Sequence, residues 1–135
     1  MKVQFCGAAK KVTGSCYYIE TNTKKIVVDC GLHQGKQLCD NCNLEEFPFN
    51  PAEVDVVLLT HAHLDHCGRI PRMVKQGFTG RIISTKPTIE LAELIMEDSV
   101  HILAEEALEN NHEPVPYVPT EYRAFSRSFV VAGVC

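Results

Sequence analysis

No stretch of the sequence approaches the ~20 consecutive apolar residues that a membrane-spanning helix requires, so a transmembrane protein is not expected. Positive charge is not in surplus either: 13 Lys and Arg stand against 17 Asp and Glu, a formal net charge of −4. Phosphate binding draws on clustered Lys and Arg, so a protein that coats nucleic acid indiscriminately is excluded and any polyanion site must be local. No charged start followed by an apolar stretch of signal-peptide length is seen, and the cysteines number seven, an odd count. Both argue against a secreted disulfide framework, and the expectation is a cytoplasmic protein. Internal repeats and low-complexity tracts are lacking. The segment from Gly7 to Ser15 holds two glycines and two lysines but lacks the spacing of a phosphate-binding loop.

What is present fits one globular unit over residues 1–135, because 45% hydrophobic side chains supply one core and the length is too short for two comfortable ones. Charge is unevenly spread. Lys2, Lys10, Lys11, Lys24 and Lys25 face only Glu20 within residues 1–25. Between residues 90 and 113, by contrast, Glu90, Glu93, Glu97, Asp98, Glu105, Glu106, Glu109 and Glu113 meet no Lys or Arg, a face expected to repel nucleic acid.

Three extended segments open the chain, at Val3–Cys6, Ser15–Glu20 and Lys25–Asp29. Turn chemistry in Thr21-Asn22-Thr23 makes a hairpin of the last two. Residues 30–50 are punctuated by Gly31, Gly35, Asn41, Asn43 and Pro48 and read as irregular. Val54–Leu59 is nearly continuously apolar, as in a strand covered on both faces, and delivers Thr60 and His61 to its end. After His66 a short helix is expected to run to about Lys75, then a strand at Arg81–Ser84. Pro87 sits at a first-turn position of a long helix ending near Asn110 or Asn111, with Leu91, Leu94, Ile95, Ile102 and Leu103 as its apolar stripe. Asp98 falls on that stripe, which predicts a buried, hydrogen-bonded carboxylate. Pro114, Pro116 and Pro119 break any helix, and Phe129–Val131 reads as a last strand. The fold class is α/β.

The chemistry concentrates in His61-Ala62-His63-Leu64-Asp65-His66. Two histidines at i and i+2 on an extended segment project to one side, so His61 and His63 can serve one ion. Asp65 and His66 follow where the chain turns into a helix and can face a neighbouring ion. Three imidazoles and a carboxylate suit Zn²⁺, with Mn²⁺ or Fe as alternatives. A strand end before a glycine and a helix is where α/β sheets place their sites.

Val57-Leu58-Leu59-Thr60 followed by His61-Ala62-His63-Leu64-Asp65-His66-Cys67-Gly68 resembles the H-x-H-x-D-H signature of the metallo-β-lactamase superfamily. Phe5-Cys6-Gly7-Ala8-Ala9, Val12-Thr13-Gly14-Ser15-Cys16-Tyr17, Val27-Val28-Asp29-Cys30-Gly31-Leu32 and Phe47-Pro48-Phe49 resemble its β-CASP branch, which includes RNA-processing nucleases. The similarity is clearest over residues 1 to about 110. It implies the N-terminal half of an αββα sandwich and a site for two Zn²⁺ ions. It further implies hydrolysis of RNA phosphodiesters, with thioester or lactone hydrolysis as the alternative within the superfamily. By that resemblance Asp65 binds one metal and helps orient the nucleophile, while Asp29 holds the ligand loop by hydrogen bonds without binding metal.

The family pattern also needs a further ligand His, a bridging Asp and a distant His beyond a cap domain, and no match to these is found. The ending Phe129-Val130-Val131-Ala132-Gly133-Val134-Cys135 resembles a family motif with Val134 where a ligand His belongs. The expectation is a truncated, frameshifted or split product, inactive as it stands; the alternative is a non-catalytic half-domain that keeps the metal loop and self-associates through an exposed sheet edge. Four other features are read as structural. Cys39-Asp40-Asn41-Cys42 lacks the second pair that a zinc knuckle needs, Cys67 is a packed thiol, His33 is a surface or packing residue, and His101 and His112 lack a strand-end setting. Lys10 and Lys11 are placed to touch a polyanion near the site.

Overall fold

In the computed structural model, residues 1–35, 43, 45–109 and 128–132 are described, residues 100–109 as backbone alone. The elements run β1 (Lys2–Gly7), β2 (Cys16–Glu20), β3 (Lys25–Cys30), β4 (Val56–Leu58), α1 (Leu64–Cys67), α2 (Ile70–Lys75), β5 (Arg81–Ser84), α3 (Lys86–Glu109) and β6 (Phe129–Val131). They form one mixed sheet in the order β1-β2-β3-β4-β5-β6. The first three strands are antiparallel and β3 through β6 run parallel. The hairpin between β2 and β3 closes on Thr21, whose hydroxyl accepts the Lys24 N–H at 2.8 Å while its own N–H donates to the Lys24 carbonyl at 2.9 Å.

Alternation decides which side of the sheet is dry. Tyr18, Val27, Val57 and Ile82 point to the face covered by Ile70 and Met73 of α2, Phe78, and Ala92 and Met96 of α3. Burial of each such aliphatic side chain contributes roughly 1.5–3 kcal/mol. No helix among the described residues is long and apolar enough to cross a membrane.

Three expectations are corrected. The fourth strand covers Val56–Leu58 instead of Val54–Leu59, because Asn50 caps a short 3₁₀ turn at Pro51–Glu53 and the Val54 N–H closes it onto the Pro51 carbonyl. The helix read as starting after His66 is two helices, and the first begins at Leu64. His66 and Cys67 both donate their N–H groups to the His63 carbonyl, which starts α1 three residues early. The Arg69 N–H then turns away to the Cys30 carbonyl at 2.8 Å and ends it.

The third correction concerns α3. Its buried face carries Ile89, Ala92 and Met96, with Ile95 partly covered, whereas Leu91 and Leu94 are 48% and 64% exposed. Asp98 is exposed as well and is no buried carboxylate. Positions 91, 94 and 98 share a spacing as regular as 89, 92 and 96, and the small side chain of Ala92 lets the second face approach the core. Cys39, Cys42, His112, the prolines at 114–119 and Val134 lie outside the described residues, as does the side chain of His101.

Candidate metal centre

The ends of β3 and β4, neighbours in the parallel part of the sheet, converge on one carboxylate. Asp29 is 2% exposed and adopts φ = 55°, a left-handed conformation that Asp tolerates better than most residues. Its Oδ1 accepts the Thr60 N–H at 2.8 Å, the Thr60 hydroxyl lies 2.8 Å from Oδ2, and His66 Nδ1 lies 2.8 Å from Oδ2. A buried carboxylate met by three donors is fully compensated for leaving water. Strain in the backbone at Asp29 is thus held in place by its side chain.

The loop after β4 is laced to the sheet by its backbone. Ser15 donates its N–H to the Asp65 carbonyl at 2.8 Å, and Leu32 donates to the Leu64 carbonyl at 2.8 Å. A Cβ at Gly31 would lie 1.6 Å from the Asp65 carbonyl oxygen, so only glycine lets β3 come this close to α1. These contacts set the positions of Asp65 and His66 without touching their side chains.

The structure brings the sequence-predicted residues together. The ring of His61 lies 3.9 Å from that of His66 and 4.8 Å from that of His63, centroid to centroid. His61 Nδ1 is 3.0 Å from the Thr60 hydroxyl. His66 Nε2 and Asp65 Oδ2 are 3.6 Å apart. Two donors at 2.0–2.1 Å from one tetrahedral ion stand roughly 3.3 Å from each other, so this pair has the spacing and chemistry of shared ligation. His63 is exposed at the N-terminus of α1 and its ring is free of any cap bond. As placed, no three His, Cys, Asp or Glu side chains among the described residues are arranged to hold one ion together. The donor set therefore fits divalent metal by type and by the Asp65–His66 spacing, with further donors required to complete each sphere.

Cys67 stands next to His66 but faces the core. It is fully buried and its thiol donates to the Ala62 carbonyl at 3.4 Å. Burial, with the charges of Asp29 and Asp65 adding, pushes its pKa up to about 12, so the thiol keeps its proton. Cys6, Cys16 and Cys30 are free thiols too.

Upstream of Ser15, Lys10 and Lys11 are exposed in the loop that the Asp65 carbonyl anchors. Beside that anchor the loop packs on His33, whose ring leaves no room for a Cβ at Gly14, where φ is 81°. Burial first, then the charges of Arg69 and Lys11, hold the His33 pKa below its ordinary value. Arg69 is itself buried, its guanidinium 4.4 Å above the Phe47 ring and donating to the Glu45 carbonyl at 3.0 Å. The sequence reading missed Thr60 as a bonding partner, and missed Gly31 and Ser15 as anchors. A hydroxyl directly before His61 was the only local signal for any of them.

The profile of the metallo-beta-lactamase superfamily matches residues 9–129. Ribonuclease TTHA0252 of Thermus thermophilus is 41% identical over 105 residues, covering 78% of this chain and 24% of the relative. Transcription termination factor FttA of Methanocaldococcus jannaschii is 33% identical over 129 residues, covering 91% of this chain and 19% of the relative. This chain thus spans about a quarter or less of the length of these curated relatives. Among solved structures, the subclass B3 metallo-beta-lactamase BJP-1 of Bradyrhizobium japonicum aligns with a TM-score of 0.48 at 24% identity, over 67% of this chain and 33% of the other.

Proposed function

The chain belongs to the metallo-β-lactamase superfamily, and from that premise we propose that it supplies the first metal-binding segments of an RNA phosphodiester hydrolase of the β-CASP type. The observation that carries the reading is Asp29, which gathers Thr60 and His66 at the end of the parallel strands and so aims the imidazoles outward. Family membership implies divalent metal. Zn²⁺ suits the nitrogen and carboxylate donors best, with Mn²⁺ or Fe as alternatives. His61 and His63 would hold one ion, and Asp65 and His66 its neighbour. When bound, the pair would supply an activated water and neutralise charge developing at phosphorus.

The remaining chemistry falls to this chain's own residues. Asp65 would ligate an ion and accept a hydrogen bond from the water, which would orient it. Asp29 keeps His66 Nδ1 occupied, which leaves its other nitrogen to hold an ion when one is bound. Lys10 and Lys11, exposed in a loop tethered to Asp65, are placed to pair with RNA phosphates. The names of the ribonuclease relatives support RNA over thioester or lactone substrates. The edge strand β1, with Val3 and Phe5 exposed, supports self-association. Because no three donors converge among the described residues, the 135-residue chain alone is expected to show no turnover of single-stranded RNA.

The test is a chimera in which this chain replaces the matching stretch of the Thermus thermophilus ribonuclease. Cleavage of single-stranded RNA that disappears in His63→Ala supports the reading. A folded chimera that hydrolyses lactones or thioesters but not RNA would overturn it.

A further inference from the structure

The hydrogen bonds around Thr60 determine which nitrogen each imidazole offers. A carboxylate only accepts, and the Thr60 hydroxyl lies 2.8 Å from Asp29 Oδ2 and 3.0 Å from Oδ1, so its single hydrogen is committed to Asp29. The hydroxyl therefore meets His61 Nδ1, 3.0 Å away, with a lone pair. Nδ1 of His61 must then carry the hydrogen, which leaves Nε2 bare. The same logic applies without an intermediary at His66, whose Nδ1 donates to Asp29 Oδ2 at 2.8 Å.

We propose that Thr60 is a positioning residue that relays the charge of Asp29 to His61, so that one buried carboxylate fixes the tautomer of two metal-facing imidazoles. The consequence is specific: His61 and His66 both present Nε2. His63 lies outside the relay, since its ring touches His61 edge-on and no hydrogen bond orients it among the described residues. The relay spans the two strand ends, because Asp29 lies near the end of β3, one residue before Cys30, and Thr60 follows β4. Fixing a tautomer before metal arrives removes a reorganisation cost from binding, as partners of ligating histidines do elsewhere. The inference rests on the reading of His61 and His66 as ligands, but the tautomer can be measured without any ion.

The experiment compares the unaltered chain with Thr60→Val, Thr60→Ala and Thr60→Ser, each checked for folding by circular dichroism. Long-range ¹H–¹⁵N correlation at pH 8, in chelator-treated protein, reports the tautomer of each histidine, and zinc calorimetry reports affinity. The expected result is Nδ1–H at His61 and His66 in the unaltered chain and in Thr60→Ser. In Thr60→Val and Thr60→Ala, His61 gains the Nε2–H form, His66 does not, and zinc affinity falls roughly tenfold. Tautomer populations that ignore the loss of the hydroxyl would overturn the relay and leave the ligand reading standing. A tautomer shift at His61 with unchanged zinc affinity would overturn the ligand role of His61, and with it the purpose of the relay.

Discussion

Asp29 Oδ2 and His66 Nδ1 meet at 2.8 Å across 37 residues of chain, joining the end of β3 to the first helix after β4. Replacing Asp29 by Asn keeps an acceptor for the Thr60 N–H and tolerates the left-handed backbone, but it sets an amide N–H₂ against His66 Nδ1–H. His66 must then turn or change tautomer. Zinc affinity in Asp29→Asn is expected to fall roughly 10–100-fold by calorimetry, with the circular dichroism spectrum retained. Unaltered affinity would remove Asp29 from the account. Asp29→Ala is a harsher variant, because Ala at φ = 55° adds backbone strain of about 1–2 kcal/mol.

Gly31→Ala should disturb the same region through sterics alone. With 1.6 Å between a new Cβ and the Asp65 carbonyl oxygen, β3 and α1 must separate. The cost is expected at about 3 kcal/mol in urea unfolding, the upper part of the overpacking range, with zinc affinity reduced in whatever remains folded. Native stability in Gly31→Ala would show that the lacing of Asp65 to the sheet is slack.

His33 gives a pH dependence of definite sign. Its folded pKa lies below the ordinary 6.5, chiefly through burial and then through Arg69 and Lys11, so the unfolded chain binds the proton more readily. Stability therefore falls as pH drops from about 6.5 toward the folded pKa and levels off below it. Urea midpoints at pH 7.5 and 5.5 should show the unaltered chain losing more stability than His33→Phe, which keeps an aromatic ring over Gly14. A larger loss in His33→Phe would reverse the assignment.

Replacing both Lys10 and Lys11 by Ala should weaken binding of a short single-stranded RNA and flatten its salt dependence. Two lost phosphate contacts lower the slope of log K against log salt by about 1.4, read by fluorescence anisotropy. An unchanged slope would place RNA elsewhere on the molecule.

The run from His61 to His66 stands out in the sequence because its residue types are rare together and its i, i+2 spacing is meaningful on an extended chain, and the fold brings these side chains next to one another. The hairpin, β5 and β6 were legible from β-branched runs between turn residues, and the start of α3 from Pro87. What the sequence did not disclose are contacts made across distance. Nothing local to Ser15 or Gly31 announces a bond or a close approach to Asp65. Thr60 was placed at its strand end but gave no sign of bridging Asp29 to His61. The face of α3 was misread because Leu91, Leu94 and Asp98 repeat as regularly as Ile89, Ala92 and Met96, and only packing against the sheet chooses between them. Early entry into α1 escaped notice since His63 starts the helix with its carbonyl and not with a side-chain cap.

The central claim is that His61, His63, Asp65 and His66 bind divalent metal. Zinc titration by calorimetry on the 135-residue chain and on His61→Ala, His63→Ala, His101→Ala and His112→Ala tests it most directly. The account predicts lost or sharply weakened binding in the first two variants and unaltered binding in the last two. Equal losses at His112, or full affinity in His61→Ala and His63→Ala, would contradict it.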